Sequence, residues 1–285
     1  MALITLTTDF GTKDHFAGAV KGAIFNELPD ANIIDITHQI SPFNITETAY
    51  ILKNAYKSFP KGTIHIIGVD SELSATNKHI ALLLDEHYFI CPDNGVISMI
   101  ASEINPTKII EITIHDRIES SFPLLDVFVQ AACFLGRGGS LDVIGKEIQS
   151  YKKTFEIQPK VNQEKSIIIG NVIYIDNYGN VITNISKKVF NDIGKTRDFV
   201  IKARRYTFTK IMNRYNDVVD FNADDIRQFD GYKLAIFNSA NFLEIAIYRS
   251  NLKTVGGAST LLGLDYRDTI SIEFITKEKA SFVPV

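Results

Sequence analysis

The sequence holds only two cysteines in 285 residues. Cys91 and Cys133 each sit inside an apolar run without CxxC spacing. That argues against a disulfide framework or a thiolate metal site and suits a reducing cytoplasm. Charge of one sign is also lacking: 30 Lys+Arg stand against 33 Asp+Glu, a formal net charge of −3. The electrostatic footprint of a nucleic-acid binder is therefore missing. No apolar run approaches the roughly 18–20 residues of a membrane span. The opening MALITLTTDFG has no basic segment ahead of an apolar one, so it reads as a first strand and not as a secretory leader. The six histidines, at 15, 38, 65, 79, 87 and 115, form no HxxxH or HxH pair, and no Gly-x-Ser-x-Gly elbow occurs. Internal repeats and low-complexity tracts are absent. The expectation is a cytoplasmic protein without metal or cofactor, and without a nucleic-acid or membrane partner.

What is present, 45% hydrophobic and 22% charged residues, is enough to bury an ordinary core. The length fits one large domain or two of roughly 100–200 residues. Residues 2–8 are apolar and β-branched and run into Asp9-Phe10-Gly11-Thr12, as a buried strand entering a loop does. Phe16, Ala19, Val20, Ala23, Ile24 and Leu28 then fall at helical spacing. A second strand at 32–37 and a second helix at 44–59 follow, and this βαβα order implies a parallel sheet covered by helices. A third strand at 63–69 ends at Asp70. Strands at 79–84 and 88–91 flank the polar turn Asp85-Glu86-His87. Beyond them come a short helix at 96–102, a strand at 108–114 and a helix at 124–135.

Texture changes after Ile148. Residues 151–166, polar and rich in Lys, Gln and Glu, read as a linker between an α/β domain over 1–150 and a second domain over 167–285. In the second domain short alternating apolar stretches separated by turn residues imply an antiparallel all-β, barrel-like fold. The strands are expected at 167–175, 181–185, 199–203, 206–211, 233–238, 243–248 and 269–275.

Ligands of open α/β sheets bind outside the carboxyl ends of the strands. Asp9 and Asp70 fall there, with Asp14 one loop turn after Asp9. A carboxylate so placed can accept two hydrogen bonds from a vicinal diol or act as a base; alternatively it caps a helix or binds backbone N–H groups. Asp176-Asn177-Tyr178-Gly179-Asn180 lies between two expected strands, where a simple hairpin turn accounts for it equally. Gly136-Arg137-Gly138-Gly139 offers backbone amides for a phosphate, but it follows a helix and lacks a P-loop lysine.

Four segments together resemble the S-adenosylmethionine (SAM) hydrolase family, also called SAM hydroxide adenosyltransferases, which is related to the SAM-dependent fluorinase and chlorinase. They are Thr7-Thr8-Asp9-Phe10-Gly11-Thr12-Lys13-Asp14, His38-Gln39-Ile40-Ser41-Pro42-Phe43, Pro92-Asp93-Asn94-Gly95, and Asp176 to Ile185. They occur in the family's order and span nearly the whole chain. The resemblance implies a homotrimer whose SAM sites lie between the N-terminal domain of one subunit and the C-terminal domain of the next. It also implies SN2 attack on the ribose C5′ of SAM with loss of methionine, by water to give adenosine or by halide. Carried over by position, Asp9 grips the ribose hydroxyls and Phe43 supplies an apolar wall beside sugar and adenine. Asp14 and Asp176 face the methionine ammonium and the sulfonium, Asn180 the adenine edge, and Ser239 the methionine tail.

The family's catalytic segments are altered. The segment after the third strand reads Asp70-Ser71-Glu72-Leu73-Ser74-Ala75-Thr76-Asn77, which places Asn77 at the family's arginine. Phe122-Pro123-Leu124-Leu125-Asp126 places Pro123 at its histidine. Of the set that holds the attacking water, Asp70 remains, with Asn77 beside it in the catalytic segment. Because the leaving group is a neutral thioether, the reaction mainly requires a water held in line with C5′, which Asp70 is suited to polarise. Losing two partners that act as a unit costs on the order of 10²–10⁴ in rate. Lys78, His79 and His115 are candidate replacements, or else ordinary residues of the next strand and loop. Three readings stay open: a slow SAM hydrolase giving adenosine and L-methionine, a non-catalytic SAM or adenosine sensor, and an enzyme with another nucleophile or substrate. Halide is disfavoured, because a carboxylate at Asp70 repels an anion in a dry pocket.

Overall fold

The computed structural model describes residues 1–101, 104–114, 120–154 and 157–275, and the chain divides into two compact units, Met1–Glu156 and Ile157–Val285. The first unit contains β1 (Leu3–Thr8), α1 (Phe16–Glu27), β2 (Asn32–Thr37), α2 (Ile45–Ala55), β3 (Ile64–Gly68), β4 (His79–Leu84) and β5 (His87–Pro92). These are followed by α3 (Val96–Ile100), β6 (Lys108–Ile112), α4 (Val129–Gly136), α5 (Leu141–Ile144) and β7 (Gly145–Glu147). Among the described residues its strands make one sheet in the order β2-β1-β3-β5-β4-β6-β7. It is parallel over β2-β1-β3-β5 and antiparallel from β5 onward.

The parallel half follows from the alternation of strands with helices, since a helix crossover returns the chain to the same sheet edge. The antiparallel half begins with the β4–β5 hairpin. Its two turn residues, Asp85 and Glu86, both have positive φ (51° and 63°), which matches the twist of a tight hairpin. Both faces of the central strands are buried. Ile4, Leu6 and Ile66 pack on one side with Val20 and Ile24 of α1 and with α4, whereas Ile67, Leu82 and Phe89 pack on the other with Ala49 and Leu52 of α2. Each such aliphatic side chain contributes about 1.5–3 kcal/mol on burial.

The helix expected at 124–135 is irregular at its start. Leu124–Phe128 is a π-helical turn that begins after Pro123, and α4 follows. Leu124 is buried so close to β3 that a Cβ on Gly68 would collide with it, so glycine is required at that strand end. The helix expected at 96–102 ends as α3 at Ile100, and Ser102 lies outside the described residues.

The second unit contains β8 (Lys160–Val161), β9 (Ile167–Ile175), β10 (Val181–Ser186), α6 (Lys187–Gly194), β11 (Phe199–Ala203), β12 (Tyr206–Phe208) and β13 (Ile211–Met212). It continues with β14 (Lys233–Phe237), β15 (Phe242–Ile247), α7 (Ala258–Leu262) and β16 (Thr269–Phe274). The strands run β12-β11-β16-β9-β10-β15-β14-β13 in a barrel-like sheet, with β8 added against β9. All pairings are antiparallel except β13 with β14. Inward residues such as Ile168, Val181, Ile201, Leu243, Ile245, Ile270 and Ile272 form one core.

The strands read from alternation recur here, with two short α-helices and two 3-10 turns, Tyr215–Val218 and Ile226–Phe229, added. The Ser186 hydroxyl accepts the Val189 N–H and starts α6, a capping signal that the strand pattern concealed. The single stretch expected at 206–211 divides into β12 and β13. The polar stretch 151–166 is shared between the units: Tyr151 packs in the first unit's core, and β8 joins the second unit's sheet. Among the described residues no helix is long and apolar enough to cross a membrane.

Candidate active site

In the first unit the parallel register sets Thr8 of β1 against Gly68 of β3, so Asp9 and Asp70 emerge side by side at the carboxyl edge of the sheet. The Asp9 carboxylate accepts the backbone N–H of Phe43 at 2.9 Å and also the backbone N–H of Asp70. Burial raises the Asp9 carboxyl above its ordinary value, with the charge of Asp70 adding to the effect, while the N–H donors oppose it. Phe43 and Asp70 both hold left-handed backbone, φ 62° and 50°, the kind of strain that persists where surroundings over-determine it.

The loops carrying these residues are tied together. The Thr8 hydroxyl meets His38 Nδ1 at 2.8 Å, His38 Nε2 lies 3.1 Å from Asp35, and the Gly11 N–H donates to the His38 carbonyl at 2.6 Å. Beneath them Phe10, Phe16 and Phe122 pack pairwise, with ring centroids 5.4–5.7 Å apart. Asp14 is exposed in the loop before α1.

Asn77 acts within its own loop. Its side-chain amide donates to the carbonyls of Asp70 and Glu72, both at 2.9 Å, and its buried Oδ1 has no partner among the described residues. Asn94, from the third family segment, and His79, a candidate replacement for the family's histidine, complete the support by bracing the loop rather than by entering the catalytic set. Asn94 donates to the Val69 carbonyl at 3.0 Å, and buried His79 sits with Nε2 2.9 Å from the Ser71 carbonyl. His79 therefore braces the loop after Asp70. Lys78, the other candidate replacement, lies 3.8 Å from Glu111. His115 lies outside the described residues. The Gly138 and Gly139 amides donate to the Leu135 and Phe134 carbonyls, so the helix end consumes the groups that a phosphate would need.

In the second unit residues 176–180 close the β9–β10 hairpin. Asp176 Oδ1 accepts the N–H groups of Tyr178 (2.9 Å) and Asn180 (2.8 Å), and Oδ2 accepts the Asn180 side-chain amide at 3.0 Å. The turn reading and the site reading are thus compatible, because the turn itself presents the carboxylate. Asn180 is 5% exposed, and its Oδ1 is an acceptor without a partner among the described residues. Gly179, at φ 79°, supplies the left-handed residue that the turn requires.

Ser239 lies on the turn from β14 to β15. Asn238 Oδ1 shapes that turn by accepting the N–H groups of Ala240 (3.0 Å) and Phe242 (3.2 Å). The turn borders a cleft of about 520 Å³ whose other walls include Arg214 and Tyr215. Glu244 of β15 is 2% exposed and accepts the Tyr215 hydroxyl at 2.8 Å. Burial raises its carboxyl above the ordinary range against hydrogen bonds from Tyr215 and Asn238, with the charge of Asp176 contributing. Sequence reasoning missed Glu244. Its signal was a lone carboxylate amid the apolar stretch Phe242-Leu243-Glu244-Ile245-Ala246-Ile247.

Residues 4–145 match the model of the SAM hydroxide adenosyltransferase N-terminal domain, and residues 170–271 match that of the C-terminal domain. A relative from Methanocaldococcus jannaschii named (R)-S-adenosyl-L-methionine hydrolase is 32% identical over 282 residues, 95% of each chain. A fluorinase from Actinopolyspora mzabensis is 21% identical over 221 residues, 67% of this chain and 74% of its own. The crystal structure of an uncharacterized conserved protein from Thermotoga maritima superposes with a TM-score of 0.80 at 31% identity, covering 95% of this chain and 99% of the other.

Proposed function

The chain belongs to the SAM hydroxide adenosyltransferase family, and on that footing we propose that it is a SAM hydrolase, an enzyme that places water on C5′ and releases adenosine and L-methionine. The observation that carries this reading is the pair Asp9 and Asp70 at the ends of adjacent parallel strands, where a diol and a water need acceptors only a few ångströms apart. Asp9 holds the ribose hydroxyls, and Asp70 orients the water and takes its proton as the O–C5′ bond forms. The C5′–S bond breaks with its electron pair on sulfur, leaving a neutral thioether. No acid is needed for that departure, which is why the chemistry tolerates Pro123 and Asn77 at the family's histidine and arginine. Asn77 contributes by holding the Asp70 loop in place.

In the same reading Phe43 lines the sugar and adenine. Asp14 and Asp176 attract the ammonium and the sulfonium, and Ser239 meets the methionine tail. The partnerless Asn180 Oδ1 accepts the adenine exocyclic N–H. The protein works in the cytoplasm as a homotrimer, each SAM held by the N-terminal domain of one copy and the C-terminal domain of another.

One observation favours a second reading. The Asn77 amide is committed to two backbone carbonyls and Pro123 carries no ionisable group, so a SAM or adenosine sensor has the same features. Prolonged incubation with SAM, with adenosine quantified against Asp70→Asn and protein-free controls, decides. Adenosine above both controls establishes the hydrolase. SAM-dependent thermal stabilisation without adenosine removes the hydrolase and leaves the sensor or an enzyme with another nucleophile or substrate.

A further inference from the structure

The side chains assigned above to the amino-acid half of SAM are Asp14, Asp176 and Ser239. That half carries an ammonium and a carboxylate. Two acidic groups satisfy the ammonium but repel the substrate's carboxylate, so a site built from them alone is electrostatically incomplete. A cation on the Ser239 side would complete it.

The second unit places one there. Arg214 lines the cleft of about 520 Å³ that Ser239 borders, and it is exposed. Among the described residues its guanidinium has no ion pair; Arg205 and Arg267 have none either, but they lie over tyrosine rings and do not line this cleft, whereas Arg204, Arg227 and Arg249 each face an aspartate. Its backbone is fixed: Asp217 Oδ2 accepts the N–H groups of Asn213 and Arg214, both at 3.0 Å. The next residue, Tyr215, donates its hydroxyl to buried Glu244. Glu244 in turn accepts from the Asn238 side chain, whose Oδ1 shapes the Ser239 turn, and it lies within Coulombic reach of Asp176. One buried carboxylate thus ties together the segments bearing Arg214 and Ser239 beside the Asp176 turn.

We propose that Arg214 is a specificity-determining residue that, with the Ser239 hydroxyl, takes the α-carboxylate of the substrate's amino-acid half. This rests on the SAM-hydrolase reading for the identity of the ligand. The planar guanidinium offers two parallel N–H donors to a carboxylate, which a lysine ammonium does not. The consequence is selection for SAM over its decarboxylated form, which keeps the adenosine, sulfonium and amine.

The test is calorimetric titration of SAM and of decarboxylated SAM into wild-type protein, Arg214→Ala and Arg214→Lys, with SAM turnover measured in parallel. Arg214 is exposed, so the variants keep the fold. Wild type is expected to favour SAM by about tenfold or more, as the loss of one charge-assisted pair implies. Arg214→Ala loses that preference by binding SAM more weakly while leaving decarboxylated SAM unchanged, and Arg214→Lys recovers part of it. Equal weakening of both ligands, or of neither, overturns the assignment of Arg214. Wild type that binds SAM without turnover removes the hydrolase reading alone, because the affinity ratio still judges Arg214. Wild type that binds neither ligand overturns both.

Discussion

The carboxylate of Asp9 accepts the backbone N–H of Phe43 at 2.9 Å, and Phe43 holds a left-handed φ of 62° and is 72% exposed. An exposed aromatic ring at a strained backbone position contributes little to folding, so its conformation is held for another purpose. Phe43→Gly removes about 1 kcal/mol of backbone strain, offset by the greater freedom of glycine in the unfolded chain. Its melting temperature should therefore stay within a few degrees of wild type while the KM for SAM rises about fivefold or more. An unchanged KM would remove Phe43 from the site.

Asn77 straps the loop that follows Asp70. Asn77→Ala deletes two side-chain hydrogen bonds to the Asp70 and Glu72 carbonyls and should cost about 1–3 kcal/mol in urea unfolding. Turnover should fall more than SAM affinity does, because the loop orients the water-holding Asp70. Affinity and turnover falling in equal proportion would contradict that division.

Acid lability is expected from His65. This buried ring meets the Thr5 hydroxyl at 2.7 Å and His87 at 3.2 Å, and burial, with His87 beside it, pushes His65 down to about 3. Between that value and the ordinary 6.5 the unfolded chain binds a proton that the folded chain refuses. Stability therefore falls as pH drops from 6.5 toward 3, by up to about 1.4 kcal/mol per pH unit, and this group contributes no slope at higher pH. His65→Gln should flatten the acid limb of unfolding free energy against pH. A limb of unchanged steepness would assign it to other groups.

Glu244 gives the opposite slope. Burial raises its carboxyl above the ordinary 4.5, so the folded chain holds the proton more tightly and stability declines as pH rises through the folded value. Glu244→Gln should match wild type near pH 4 and exceed it at pH 8. Glu244→Leu should be weaker at both, since it leaves the Tyr215 hydroxyl and the Asn238 amide without their acceptor. Gln falling below wild type at pH 8 would show that the ionised carboxylate is the stabilising form.

Much of the fold was legible because its signals are local. The β-branched run of β1 stops where Asp9-Phe10-Gly11 begins, the spacing of Val20 and Ile24 matches a helix, and a polar turn was expected at 85–87, which the structure narrows to Asp85-Glu86 with His87 opening β5. Less legible were α6, whose capping serine ends a strand, and the π-helical turn at Leu124–Phe128, whose Leu124 packs against Gly68 far away in the chain. Family motifs pointed to Asp9, Asp14, Phe43, Asp70, Asn77, Asp176, Asn180 and Ser239 as positions. They said nothing of how Asn77 spends its amide or what Glu244 touches.

The sequence by itself determined the periodicities, the two-part organisation and the family, since these depend on residue type and order along the chain. Tertiary structure decided which distant groups meet. His65 meets His87 because β3 pairs with β5, Asp9 reaches Phe43 because two loops share one sheet edge, and Glu244 joins Tyr215 to Asn238 because β15 pairs with β14, whose other edge carries β13 and the segment after it. Register and the positions at which loops return to a sheet set those distances. Both depend on the packing of the whole unit, so no local stretch of sequence encodes them.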